Sequence, residues 1–333
     1  MSIWKINTIN KFDEFSIQWN LLCKETYDTP LLDAKFIKPL LESFSDGSEL
    51  LAFAFDDDKC VAATIIKRIG IGRWETFQPS QAPLGCWICH PDYCTDDLFK
   101  ELASSLPGSV ICIGVTQQDP ALLARPSPSP HLDTLDYIST GRLSIPDNFD
   151  NYWSTRSKNV RQNTNKAKNR LKKEGIAPSI EVINNVNQMQ DLVKEFGTLE
   201  SQGWKAQSGT AVSPDNVQGR FYTELLNAYA PEQAEVWRYL YNDRTVAVDL
   251  CLKQNGILYI LKTTFDQDWS RYSPAFAMHI EGVNYCSTNG INSIEFYGPA
   301  MEWHKKLTDD LRRMYHINFY PLSFIKRIKR IIN

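Results

Sequence analysis

Three stretches rich in β-branched and aromatic residues, Ala234–Tyr241, Thr245–Lys253 and Ile257–Phe265, follow one another with only Asn242-Asp243-Arg244 and Gln254-Asn255-Gly256 between them. Turn residues of that kind at that spacing predict a meander of three strands. Past Phe265 the chain does not turn straight back. Ser273-Pro274 precedes Ala275-Phe276-Ala277-Met278. Serine has the side-chain oxygen an N-cap uses, and proline suits the first helical position because its missing N–H would be unpaired there anyway. A helix is therefore expected from 274 to 288, stopped by Asn289-Gly290. A strand over 291–297, a helix over 302–313 and a last strand near 316–320 complete the order.

Upstream, the same reasoning predicts strands at 4–6, 50–55, 60–68 and 110–115, with helices over 10–25, 33–44 and 95–106. Arg125-Pro126-Ser127-Pro128-Ser129-Pro130 cannot be helix and reads as a connector. The expected division is thus 1–130 and 131–333. After the connector come a strand at 137–143, a helix over 149–174 ended by Gly175, a strand at 180–183, and helices over 187–202 and 214–229. The fold class expected is α/β: two units with mixed central sheets flanked by helices.

The chain has 333 residues and a net charge of −3, but the charge is unevenly spread: −9 over residues 1–150 and +6 over 151–333. An anionic ligand belongs with the second half. No apolar run reaches the length of a membrane span, Met1-Ser2-Ile3-Trp4-Lys5 does not read as a signal peptide, and a cytoplasmic protein is expected. Eight cysteines then fit free thiols better than disulfides. Cys86-Trp87-Ile88-Cys89-His90 has the spacing of a haem attachment or half a metal site, but lacks the export context and the second ligand pair; a buried strand is expected there and no metal.

The small residues Ala275 and Ala277 leave room for a ligand at the first-turn N–H groups of the 274–288 helix, where the helix dipole favours anions. A strand that delivers a diphosphate to such a helix start is the core of a coenzyme A site. Four segments extend this reading. They are the basic run from Ser157-Lys158-Asn159-Val160-Arg161 to Gly175; Glu200-Ser201-Gln202-Gly203-Trp204-Lys205; the Phe265-Asp266 to Ser273-Pro274 segment; and Glu295-Phe296-Tyr297-Gly298 with Glu302-Trp303-His304-Lys305. In this order they resemble the GNAT-like acetyltransferases associated with exopolysaccharide synthesis, which are related to the Fem-type peptidoglycan aminoacyltransferases. The resemblance covers residues 137–320. It departs from the family at Ala275, where Gly is usual, at Ala300-Met301, where Gly-Asp is usual, and at His304, where Tyr is usual.

The resemblance implies two GNAT-like units, the first a degenerate or substrate-shaping copy, and an N-acyltransferase that uses acetyl-CoA or another acyl-CoA. The acceptor it implies is an amino sugar or a lipid-linked glycan precursor. A Fem-type enzyme drawing its aminoacyl group from tRNA, or a non-catalytic binding protein of the same fold, are the alternatives. An amine attacking a thioester needs a proton acceptor and an acid for the leaving thiolate. Asp249, a carboxylate in the middle of a strong strand, is the favoured base unless it simply faces solvent; Asp266 either shares that task or braces its turn. His304 is the favoured acid. Phe265, Ser273, Ala275, Phe276, Ala277 and Met278 are expected around the coenzyme. Arg161, Trp204, Lys205, Glu302 and Lys305 are expected on the substrate, with a solvated helix face or core packing as the alternative for each. Eight basic residues and no acidic one lie between Arg156 and Lys173. Finally, 321–332 places apolar residues at 324, 325, 328, 331 and 332 and cations at 326, 327, 329 and 330, the pattern of a short helix lying on an anionic membrane surface or packing on the protein itself.

Overall fold

The computed structural model describes residues 3–201, 212–213 and 216–326. The chain forms two compact units, the first made of the residues up to Ser139 together with those from Arg313 onward, and the second of Thr140–Arg312. The division falls nine residues beyond the proline run, and the C-terminal strand rejoins the first unit, which sequence order alone does not reveal.

Numbered along the chain, unit 1 contains β1 (Ile3–Thr8), α1 (Phe12–Thr26), α2 (Ala34–Phe44), β2 (Leu50–Asp56), β3 (Lys59–Gly70), β4 (Arg73–Thr76), β5 (Trp87–Cys89), α3 (Asp96–Ser105) and β6 (Cys112–Gln118). The strand β7 (Leu132–Ser144) leads into unit 2, which continues with α4 (Phe149–Thr155), α5 (Lys158–Lys173), β8 (Pro178–Ile183), α6 (Met189–Ser201) and α7 (Val217–Tyr229). Then come β9 (Ala234–Tyr241), β10 (Arg244–Gln254), β11 (Ile257–Phe265), α8 (Pro274–Thr288), β12 (Ser293–Phe296) and α9 (His304–Leu307); β13 (Leu311–Phe319) returns to unit 1.

The two units repeat one topology. Unit 1 has the strand order β1-β2-β3-β4-β6-β13 and unit 2 the order β8-β9-β10-β11-β12-β7. In each, the fourth and fifth strands form the single parallel pair, β4 with β6 and β11 with β12, and the other neighbours are antiparallel. Two helices follow the first strand of each sheet and one helix links the parallel pair, as a parallel connection requires. This is the tandem α/β arrangement that the sequence predicts.

Two expected elements differ. The helix expected over 149–174 is broken, because Arg156 is extended and Ser157 starts α5 afresh by accepting the Val160 N–H at 3.3 Å. The helix expected over 302–313 stops after Leu307. Thr308 turns the chain there, its hydroxyl donating to the Arg142 carbonyl at 2.6 Å and accepting the Asp310 N–H at 3.1 Å. The core of unit 2 packs α8 on the sheet through Met278, Val283 and Cys286 against Trp237, Tyr239, Ala247, Cys251, Leu258 and Ile260. Each large apolar side chain buried this way is worth about 1.5–3 kcal/mol. Cys86-Trp87-Ile88-Cys89 is wholly buried at β5, all eight cysteines are free, and burial pushes the Cys86 and Cys89 thiols well up.

Candidate active site

The site in unit 2 begins with a divergence. Parallel β11 and β12 pair over only three residues, Ile257 to Tyr259 with Ser293 to Glu295. Beyond them β11 has a bulge at Leu261, where Cys251 pairs with Ile260 but Leu250 pairs with Lys262, and it runs on to Phe265 without β12. A wedge therefore opens between the two strands, and the chain leaving β11 passes directly to the start of α8.

At that start Ser273 occupies the N-cap position, but its side chain makes no capping bond. Its backbone is left-handed, with φ 52° and ψ 58°, following a 3-10 turn over Gln267–Tyr272. The expected side-chain cap is thus replaced by a strained backbone turn that aims the helix. Ala277 N–H bonds to the Ser273 carbonyl at 3.0 Å, so the first-turn donors left by the helix are those of Ala275 and Phe276 rather than the whole run to Met278. Phe265, Ala275, Phe276 and Ala277 are half-buried against the core, and Met278 is part of it. Asp266 is buried and braces the turn: it accepts the Asp268 N–H at 3.0 Å and an Arg244 guanidinium N–H at 2.6 Å. Arg244, paired with Asp266, and the exposed Arg271, paired with Glu174, tie down the segment that leads to the helix start.

On the α8 side of the sheet lies a stack of rings. Asp249 is wholly buried in β10, and His279 of α8 donates Nε2–H to its Oδ2 at 2.7 Å. Among the described residues, Asp249 Oδ1 and His279 Nδ1 have no hydrogen-bond partner. His279 stacks on Trp303 with centroids 5.0 Å apart, and Trp303 stacks on His304 at 3.5 Å. Phe296, the last residue of β12, meets both imidazoles edge-on. The Met301 N–H donates to His304 Nδ1 at 2.8 Å, which leaves the ring proton on Nε2. Burial, with His279 nearby, lowers the His304 pKa to about 4, so the ring is neutral at pH 7.

On the α6 side, Lys262 lies just past the bulge and donates to Glu200 at 3.2 Å, with the rings of Phe196 and Tyr222 under its ammonium. Glu200 also accepts the Val212 N–H at 2.7 Å. Glu302 and Lys305 form an exposed pair at 2.6 Å. Arg161 lies on α5, and its buried Nε has no partner among the described residues. Trp204 and Lys205 lie outside the described residues. His279 escaped the sequence reading. Its signal was present: it is the one imidazole inside the otherwise apolar start of α8.

Unit 1 contrasts at the matching place. Past the paired residues of β4 and β6, the Thr76 and Thr116 hydroxyls bond to each other at 2.8 Å and the Thr116 N–H reaches Thr76 Oγ1 at 3.0 Å. Gly85 then packs so tightly on this pair that a Cβ would lie 2.4 Å from the Thr116 carbonyl oxygen. The chain's own segment fills this wedge, and α3 starts with Asp96 and Asp97.

Residues 158–305 match the family model described as the acetyltransferase (GNAT) domain. The matched residues all lie within unit 2, and the match supports an N-acyltransferase activity there. No curated protein matches the sequence significantly. Solved structures share the fold over nearly their whole length, the following three among them. The C-terminal domain of a lysylphosphatidylglycerol synthetase from Agrobacterium fabrum has a TM-score of 0.58 at 12% identity, covering 92% of each chain. L-PGS from Bacillus licheniformis has a TM-score of 0.54 at 11% identity, covering 95% of this chain and 96% of its own. FemX has a TM-score of 0.57 at 10% identity, covering 98% and 99%. Among the described residues, no helix is long and apolar enough to cross a membrane, and no group of three or more His, Cys, Asp or Glu side chains could hold a metal ion.

Proposed function

We propose that the protein transfers an acyl group from acyl-CoA, acetyl-CoA first among them, to the amine of an amino sugar or a lipid-linked glycan precursor, using unit 2. The observation that carries the reading is the wedge between β11 and β12 leading straight to the donor-bearing start of α8. The chain fits the donor there: the Ala275 and Phe276 N–H groups are available to an anion, and the alanines keep bulk low. Bound in this way, the coenzyme supplies an activated acyl thioester. The C–N bond forms as the C–S bond breaks; the amine nitrogen loses its proton to solvent water, and the coenzyme departs as a thiolate that is protonated from solvent after release. Being neutral at pH 7, His304 offers Nε2–H to the developing thiolate as a hydrogen bond and not as a full proton transfer. Asp249 is enclosed and bonded to His279, which fits orienting that imidazole better than meeting an amine directly. The tied wedge and acidic helix start of unit 1 favour a non-catalytic role for it.

Calorimetric titration with acetyl-CoA tests this reading, with binding expected in the micromolar range typical of enzyme substrates, about 1 μM to 1 mM. Absence of binding would overturn it. The basic face of α5 favours a second reading, an aminoacyl group delivered on tRNA, for which FemX and the lysylphosphatidylglycerol synthetases are the fold relatives. Binding of aminoacyl-tRNA in place of acetyl-CoA would select it.

A further inference from the structure

The stack that starts at Asp249 ends at His304, and its inner members have no place in the acyl transfer described above. Asp249 and His279 come from a strand and a helix 30 positions apart, yet meet at 2.7 Å with 0% and 1% of their side chains exposed. Burying a carboxylate and an imidazole is costly, and apolar side chains would fill the same space without that cost. The pair fixes one ring orientation: with Nε2–H held by Asp249, the His279 ring plane is set, and it lies within 24° of the Trp303 plane. Trp303 in turn lies within 27° of His304 at a centroid distance of 3.5 Å. Trp303 and His304 stand at the start of α9, a helix of four residues, too short to hold its own orientation.

We infer that His279 is a positioning residue: braced by Asp249, it fixes Trp303, and through Trp303 holds His304 so that its Nε2–H faces the thiol end of the coenzyme at the wedge. The inference rests on the acyl-CoA reading of this site. A positioned donor would lower the thiol pKa of bound coenzyme A, because hydrogen bonding favours the thiolate. The thiol pKa of the saturated complex reads out the donor itself, whereas loosened packing would weaken binding without moving it.

The test is an ultraviolet pH titration of the coenzyme A thiolate in complexes with the wild-type chain, with His279→Gln and with Trp303→Phe. Gln retains a donor for Asp249 but removes the ring, and Trp303→Phe keeps both members of the buried pair while shrinking the ring stacked on His279, so the second variant decides if the first does not fold. We expect the thiol pKa to lie below that of free coenzyme A in the wild-type complex and to rise by about one unit in either variant. An unshifted wild-type value, or the same value in all three complexes, would overturn the positioning role. Failure of coenzyme A to bind the wild-type chain at all would instead overturn the acyl-CoA reading.

Discussion

Gly282 of α8 faces the indole of Trp237 in β9 so closely that a Cβ there would lie 2.1 Å from Trp237 Cζ3. Trp237 is wholly buried, and its Nε1–H is fixed on Glu235 at 3.1 Å, so the indole cannot swing aside. The helix that carries both the proposed donor site and His279 therefore sits at a distance from the sheet set by one missing side chain.

Gly282→Ala should for this reason destabilise the protein, although alanine is the better helix former by about 1 kcal/mol. Overpacking of this kind costs about 1–3 kcal/mol, enough to outweigh the gain. Denaturant unfolding would check it, and a variant as stable as the wild type would show that the helix–sheet spacing can relax.

Glu200→Gln should cost about 3 kcal/mol, since it leaves the ammonium of Lys262 in a largely buried place without its charge partner. Glu200→Gln with Lys262→Met should recover part of that loss. A double-mutant cycle in urea measures the coupling, and additive losses would mean that the pair contributes nothing as a pair.

The depressed pKa of His304 makes stability depend on pH. The unfolded imidazole takes up its proton near pH 6.5 and the folded one only near 4. Between these values the unfolded state binds more protons, so the contribution is complete above pH 6.5 and is lost as pH falls toward 4. Melting temperatures of the wild type should fall across that window more steeply than those of His304→Gln. Parallel curves would show that the ring titrates normally. His316, whose pKa burial also lowers, contributes equally to both chains and cancels in the comparison.

Much of this fold is legible in the sequence because its signals are local. The Asn242-Asp243-Arg244 and Gln254-Asn255-Gly256 turns fall between strands as expected, with positive φ at Asn242, Asn255 and Gly256, and Pro274 begins α8. What stays hidden depends on packing between distant segments. Asp249 stands out in its strand as a charge that needs a partner, but that the partner is His279 follows only from how α8 lies across β10. Ser273 reads as a side-chain cap, yet the preceding 3-10 turn forces it into a left-handed backbone that no local pattern announces. The return of β13 to unit 1 is likewise a matter of which sheet edge is left open.

The C-terminal pattern is altered where the structure describes it. Lys326, expected on the basic face of that helix, is buried, with its ammonium donating to the Ser129 and Leu132 carbonyls at 2.7 and 2.6 Å. Leu322 and Phe324 are exposed instead. Residues 327–333 lie outside the described residues. If these side chains insert into an anionic bilayer, the wild-type chain should pellet with phosphatidylglycerol vesicles and Leu322→Glu/Phe324→Glu should not. Equal recovery of both chains would remove the membrane from the functional picture.

Ala275→Glu is the sharpest test of the donor site, because its effects on folding and on binding have opposite signs. A carboxylate in the first turn of a helix interacts favourably with the helix dipole, by about 0.3–1 kcal/mol, so α8 should form at least as well as before. Ala275 is only half-buried, which leaves a longer side chain a way out to solvent. The same carboxylate would stand at one of the two backbone donors available to a diphosphate and repel it. Acetyl-CoA affinity should therefore fall by a hundredfold or more, that is by about 2.7 kcal/mol, with thermal stability unchanged or slightly raised. Ala275→Ser, which adds neither charge nor much volume, should bind acetyl-CoA within about threefold of the wild type. Calorimetry on the three chains separates the outcomes: wild-type affinity in a folded Ala275→Glu chain would mean that the diphosphate does not lie at the start of α8.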